Sequence, residues 1–228
     1  LQNFEPDIKG GYRRVGGTSL FNTTIVPQGS STTSLVVDCS IIFNGQIIVA
    51  RGGDIHRGTT SGSFTSLTTG LGTSSKAYDF EKFNFNGTDK LIIATGHSPA
   101  QIIDSSFNVD VVNATGGGSA PTNPKFVKVF QNHMFYAGAT NSQEVIFSVP
   151  FAEDNFTTGS GAGSFKVDSA VVGLKVFRNE LIIFCEDRIY KLTGTTSSNF
   201  AVQEVTRNIG CRDGGSIQEI GGDVIFLA

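Results

Sequence analysis

The sequence predicts an all-β fold, a β-propeller of four-stranded antiparallel blades, and three observations carry that expectation. The first is a repeat. A large apolar residue followed by turn formers recurs as Phe43-Asn44-Gly45, Phe85-Asn86-Gly87, Phe130-Gln131-Asn132 and Phe177-Arg178-Asn179, with a worn fifth copy at Ile220-Gly221-Gly222. These anchors stand 42, 45, 47 and 43 residues apart. The second is the pattern inside one repeat, clearest in Ala170 to Leu192. There Val171 to Phe177 alternates, Leu181 to Phe184 is nearly all apolar, and Arg188 to Leu192 alternates again, with turn residues between them. Such runs at such distances read as antiparallel strands joined by tight turns. The third is composition: 28 glycines and only 16% charged residues suit short strands and turns, and suit helices poorly. A period of about 44 residues with several strands per repeat is that of radially stacked blades. Leucine-rich repeats are far shorter, and TPR or HEAT units would show helical periodicity.

Taken in order, residues 1–34 form an N-terminal arm, in which Pro6-Asp7 marks a turn and Gly16-Gly17 divides a hairpin of Tyr12 to Val15 and Thr18 to Phe21. Blades follow at about 35–76, 77–121, 122–164 and 165–213, with a partial fifth at 214–228. The second strands are expected at Gln46 to Ala50, Lys90 to Ala94, His133 to Ala137, Glu180 to Phe184 and Asp223 to Leu227. The third strands begin near Asp54-Ile55-His56 and Asp187-Arg188-Ile189, the isoleucine lying 12 residues past the anchor in both. Ile102-Ile103 and Val145-Ile146-Phe147 take that role in the middle copies. Gly70 to Lys76 and Thr157 to Ser164 read as Gly/Ser/Thr linkers, and Thr115 to Pro121 as the most flexible of all. Ala228 follows a second strand, which leaves an edge open to pairing. Either the hairpin of the arm closes a five-bladed ring, or these residues belong to a longer protein with further blades.

Length permits one large β domain with a substantial core. With 19 phenylalanines and no tryptophan, Phe is the main large side chain between sheets. A formal charge of −3 does not suit a protein that grips a nucleic-acid backbone. No apolar run is long enough to cross a bilayer as a helix. Cys39, Cys185 and Cys211 are widely spaced and read as small buried hydrophobes rather than a disulfide or metal set.

No catalytic constellation stands out. His56, His97 and His133 fall on a third strand, the end of a second strand and the start of another, without metal-ligand spacing. Asp54 and Asp187 recur at the corner before the third strand. Aspartate forms turns by bonding its own backbone, and that reading outweighs a paired acid and base. Gly159 to Gly163 lacks the lysine and the flanking strand and helix of a phosphate loop, and reads as an inter-blade loop. Asn22, Asn86, Asn113 and Asn155 each begin a glycosylation acceptor triplet, of meaning only in a eukaryotic secretory setting. No catalytic, cofactor-binding or metal-binding residue is therefore assigned, and no cofactor is expected.

Several segments resemble virion structural proteins of tailed bacteriophages, notably marine and cyanobacterial ones. They are Gly10 to Val15, Val172 to Asn179 with Ile182 to Glu186, and Thr206 to Cys211 with Ser216 to Asp223. The architecture is similar to the propeller tail-hub proteins of short-tailed phages, called nozzle, tail tubular protein B or packaged-DNA stabilisation protein. The resemblance runs from about Gly10 to Ala228, and those proteins are longer, with additional domains. It implies a non-enzymatic part of the phage tail in the virion, and a homo-oligomeric ring that binds an adaptor ring and carries fibres. Packaged DNA would be touched only passively in its channel, a role that a mildly acidic chain suits. The alternatives are a host-surface or glycan-binding propeller on the particle and, behind it, a propeller glycosidase or lyase.

Overall fold

The computed structural model describes residues 4–6, 10, 12–14, 37–59, 62–72 and 78–228. Its strands run β1 (Phe4–Pro6), β2 (Tyr12–Arg14), β3 (Cys39–Phe43), β4 (Gln46–Arg51), β5 (Asp54–Gly58) and β6 (Thr65–Thr68). They continue with β7 (Asp79–Phe85), β8 (Thr88–Ala94), β9 (Gln101–Asp104), β10 (Val109–Val111), β11 (Phe126–Phe130), β12 (His133–Ala137), β13 (Glu144–Phe147) and β14 (Gly163–Lys166). The last are β15 (Val171–Phe177), β16 (Glu180–Cys185), β17 (Arg188–Thr193), β18 (Ala201–Arg207), β19 (Gln218–Ile220) and β20 (Asp223–Ile225). No α-helix occurs among the described residues, only 3-10 turns at Thr158–Ser160 and Gly214–Ser216.

Four sheets, β3 to β6, β7 to β10, β11 to β14 and β15 to β18, each hold four antiparallel strands in sequence order. These are the predicted blades, and β19–β20 is the start of a fifth. The first two strands of every blade meet in a two-residue hairpin at the predicted anchor. Both residues of each hairpin have positive φ, from Asn44 (44°) and Gly45 (73°) to Gly221 (62°) and Gly222 (86°). Such turns match the twist of the flanking strands, which explains the recurring Asn and Gly after the aromatic anchor.

The core lies between blades, and this explains the apolar second strands. On β8, Leu91 and Ile93 pack toward the first blade, while Ile92 and Ala94 pack toward the third. On β16, Leu181, Ile183 and Cys185 face the third blade, and Phe184 faces the partial fifth. A strand covered on both faces loses the alternation of a half-solvated one. Each large side chain buried there contributes roughly 1.5–3 kcal/mol.

Several expectations need correction. Phe165 pairs with Val145 in β14, so the third blade extends past residue 164. Gly159 to Gly163 therefore connects β13 to β14 within one blade and is not an inter-blade loop. His97 lies beyond β8, which ends at Ala94, because Gly96 turns the chain with φ 74°. Tyr12–Arg14 pairs with Phe4–Pro6; the other expected arm of that hairpin, Thr18 to Phe21, lies outside the described residues. Finally, Thr115 to Pro121 is tied down. The Asp154 carboxylate accepts the N–H groups of Asn113 (2.8 Å), Ala114 (2.6 Å) and Thr115 (3.0 Å), together with the Thr115 hydroxyl. Gly118 (φ 81°) then lies so close to the third blade that a Cβ would fall 2.2 Å from the Phe156 carbonyl oxygen. Glycines that suggest flexibility serve here to permit close approach.

Candidate functional site: the capped inner strands

The first strands of adjacent blades lie beside one another, β7 against β3 and β11, and β11 against β15, so they form the inner wall of the ring. An inner strand has a sheet partner on one side only, and its other edge presents backbone groups with nothing to bond. Side chains from neighbouring inner strands take up that role. On β7, Asp79 accepts the Val127 N–H of β11 (3.0 Å) and Glu81 accepts that of Val129 (3.3 Å). Lys128, between those two amides, forms an ion pair with Glu81. From the other face of β7, Lys82 donates to the Ile42 carbonyl oxygen of β3 (3.3 Å). Period-two alternation makes this possible: Asp79 and Glu81 point to the third blade, Lys82 to the first. Further round, Lys175 of β15 lies 3.3 Å from Glu219 of β19.

Burial raises the pKa of Asp79 to about 6; Lys128 and the Val127 amide work against the shift, and Glu81 adds to it. Burial also disfavours the Lys128 ammonium, but Glu81 and Asp79 overcome this and hold its pKa above the ordinary lysine value. The inner wall thus carries acids and bases in about equal number, most of them engaged across a blade boundary. The sequence signal for half of this pattern was available: Lys128 and Lys175 each stand two residues before an anchor phenylalanine. The carboxylates had no such signal, because the amides they cap belong to another repeat.

The residues weighed in the sequence take other places. Asp54 is buried at the start of β5 and accepts the Gly70 N–H (3.0 Å), holding the exit from the first blade. Asp187 is exposed on the fourth blade, paired with Arg188 (3.1 Å), which with the Ser169 hydroxyl holds its carboxyl below the usual range. The two aspartates thus serve separate places, one the exit from the first blade and the other the corner before β17. The described residues hold no group of three or more metal-ligating side chains. Cys185 and Cys211 are buried free thiols and Cys39 is half-buried; burial pushes Cys39 up to about 11 and Cys185 to about 12.

Two histidines are buried for packing. His133 holds the Ser148 carbonyl oxygen through Nδ1 (2.6 Å) amid Phe135, Phe147 and Phe200. His56 is 3% exposed, with no hydrogen-bond partner for either ring nitrogen among the described residues. Burial lowers both pKa values below the ordinary 6.5. The folded chain accepts these protons less readily than the unfolded chain, so their contribution is present above pH 6.5 and is lost as pH falls through the lowered folded values. His133→Asn, which keeps a donor for the Ser148 carbonyl, is expected to lose less stability than the parent between about pH 7 and about pH 5. Urea denaturation at the two pH values is the check, and equal losses would remove His133 from the account.

No protein-family model matches the sequence, and no curated protein does either. Among solved structures, the chain is similar to an extracellular domain described as that of a one component system from B. thetaiotaomicron. The TM-score is 0.53 at 10% identity, over 77% of this chain and 22% of that one. It is similar also to BBS1N, crystallised in complex with ARL6DN, with a TM-score of 0.51 at 12% identity over 76% and 53% of the two chains. The WD40 domain of Neurospora crassa Pan2 gives 0.50 at 11% identity over 75% and 52%. The chain spans about half the length of the last two and about a fifth of the first. At such identities the likeness establishes the fold. The chain is a β-propeller.

Proposed function

We propose that this chain is a non-enzymatic ring component of a phage tail hub, of the nozzle type, which helps assemble the tail and retain or pass its DNA. The observation that carries the reading is the inner wall. Its amides are capped by Asp79 and Glu81, its carbonyl by Lys82, and its bases are matched by acids. A wall without excess positive charge gives a polyanion no counterion-release gain, which suits a chain that touches packaged DNA only passively. The segments similar to virion proteins supply the tail setting, with an adaptor ring and fibres as partners. Asp54 and Asp187, each committed to its own blade, favour this over acid–base hydrolysis.

The decisive experiment is cryo-EM of intact particles containing this chain. A symmetric ring of copies on the tail axis is expected; absence from every particle sinks the reading. A second check needs only the purified chain. Duplex DNA should bind no tighter than about 10⁻⁴ M at physiological salt, measured by fluorescence anisotropy. Nanomolar binding would overturn the passive wall.

One feature favours the glycan-binding alternative. A cleft of about 480 Å³ between the first two blades at the hairpin end is lined by Ile42, Phe43, Asn44, Lys82, Phe83 and Asn84. Ile42 is 63% exposed there, an apolar surface beside amides that suits a sugar face. Saturation-transfer NMR with host surface glycans tests it, with loss of signal in Ile42→Asp expected.

A further inference from the structure

The third blade carries a second cleft, on its two outer strands and away from the inner wall. Its volume is about 500 Å³, and it lies between the connector that leaves the second blade and one face of β13 and β14. Small-ligand sites usually measure roughly 300–1,000 Å³. The strand register builds its floor. Ile146 of β13 pairs with Ser164 of β14, and Glu144 pairs with Lys166. All four side chains therefore stand on one face of the blade, the face on which Ile146 packs toward the second blade. Residues of the neighbouring connector, Gly118-Ser119-Ala120, are too small to fill the space above them.

The lining has a definite chemistry. Ile146 is half-buried and gives an apolar floor. The hydroxyl-bearing residues Ser119, Thr158 and Ser164 stand exposed around it. Glu144, half-buried, accepts a long bond from the Asn141 amide (3.4 Å). A carboxylate offers about four acceptor positions, so Glu144 has capacity left for a ligand. An apolar floor ringed by hydroxyls and one strong acceptor complements a pyranose ring, which has a C–H face and hydroxyl donors at its edge. Charge narrows the class further. Lys166, across from Glu144 on the same face, offsets the acid, and an uncharged sugar suits that balance better than an acidic one.

We propose that this cleft binds an uncharged pyranose sugar, with the C–H face on Ile146 and the hydroxyls on Glu144, Ser119, Thr158 and Ser164. Such a site goes beyond the tail-hub role, and it is separate from the cleft between the first two blades. It needs only the second and third blades.

The test is NMR of the full, isotope-labelled chain titrated in turn with methyl glucoside, methyl galactoside and methyl mannoside. At least one should bind with a Kd of about 1 mM, as expected of a ligand this small. The amide signals of Ile146 and Ser164 should shift. Glu144→Gln keeps the size of the side chain and should weaken binding about fivefold, because bonds to a charged acceptor are the stronger ones. Ser164→Phe fills the cleft from an exposed strand position and should abolish the shifts. If that variant does not fold, Glu144→Gln carries the test. No shift with any of the three sugars, at concentrations far above that Kd, overturns the proposal. Shifts at Ile146 that both variants leave unchanged overturn it too, as does tighter binding of glucuronate than of methyl glucoside. Shifts confined to Asn44 and Lys82 overturn this site and leave the sugar reading of the first cleft standing.

Discussion

Asp154→Ala should cost the protein about 3 kcal/mol, a fall in Tm of roughly 10 °C. Four donors from one segment converge on this single carboxylate: three consecutive amides, Asn113 to Thr115, and the Thr115 hydroxyl. Bonds to an ionised acceptor are each stronger than neutral ones, at about 1.5–3 kcal/mol. Asn113 and Thr115 are exposed, however, so water would replace part of the loss. The remainder falls on a junction between two blades, where Gly118 must stay against the Phe156 backbone. Asp154→Asn separates charge from geometry. Its oxygen can still accept from Asn113 and Ala114, but its NH2 group would face the Thr115 donors, so about half of the loss should return. Thermal denaturation of the three proteins is the measurement. A Tm for Asp154→Ala within about a degree of the parent would show that the junction is held by packing alone.

Asp79→Asn should act in the opposite sense and only at one end of the pH scale. The folded chain binds the Asp79 proton with a pKa of about 6 against 3.8 for the free side chain. The contribution of this group is therefore fully present below about pH 4 and is lost as pH rises through about 6. Above that range ionisation opposes folding by up to about 3 kcal/mol, at 1.36 kcal/mol for each pK unit. Asparagine keeps an oxygen for the Val127 amide and carries no charge, and Glu81 remains to pair with Lys128. The variant should be more stable than the parent at about pH 8 and equal to it near pH 4, as read from urea midpoints at both. A gain of the same size at both pH values would mean that packing rather than ionisation is responsible.

The periodic features of this protein were legible in the sequence. Phe43, Phe85, Phe130 and Phe177 mark four hairpins, and every predicted second and third strand of those four blades appears within a few residues of its place. These are local properties: a two-residue turn demands positive φ, and a strand buried on both faces must be apolar throughout. Asp54, expected to bond its own turn, instead accepts the amide of Gly70 sixteen residues on, a partner that the local sequence did not announce.

What the sequence could not supply was every relation between repeats. Residues some 48 positions apart share hydrogen bonds, Asp79 with Val127 and Glu81 with Val129, and neither spacing nor composition announces such a pair. The same holds for Asp154, 39 to 41 positions from the amides it holds, in a segment whose glycines and serines suggested slack. Gly163 to Lys166 was hidden among small residues, and only its ladder with β13 made it a strand. The reason is the geometry of stacked blades. Each blade is written locally by alternation and turns, while the inner edges and the junctions exist only once the blades stand side by side.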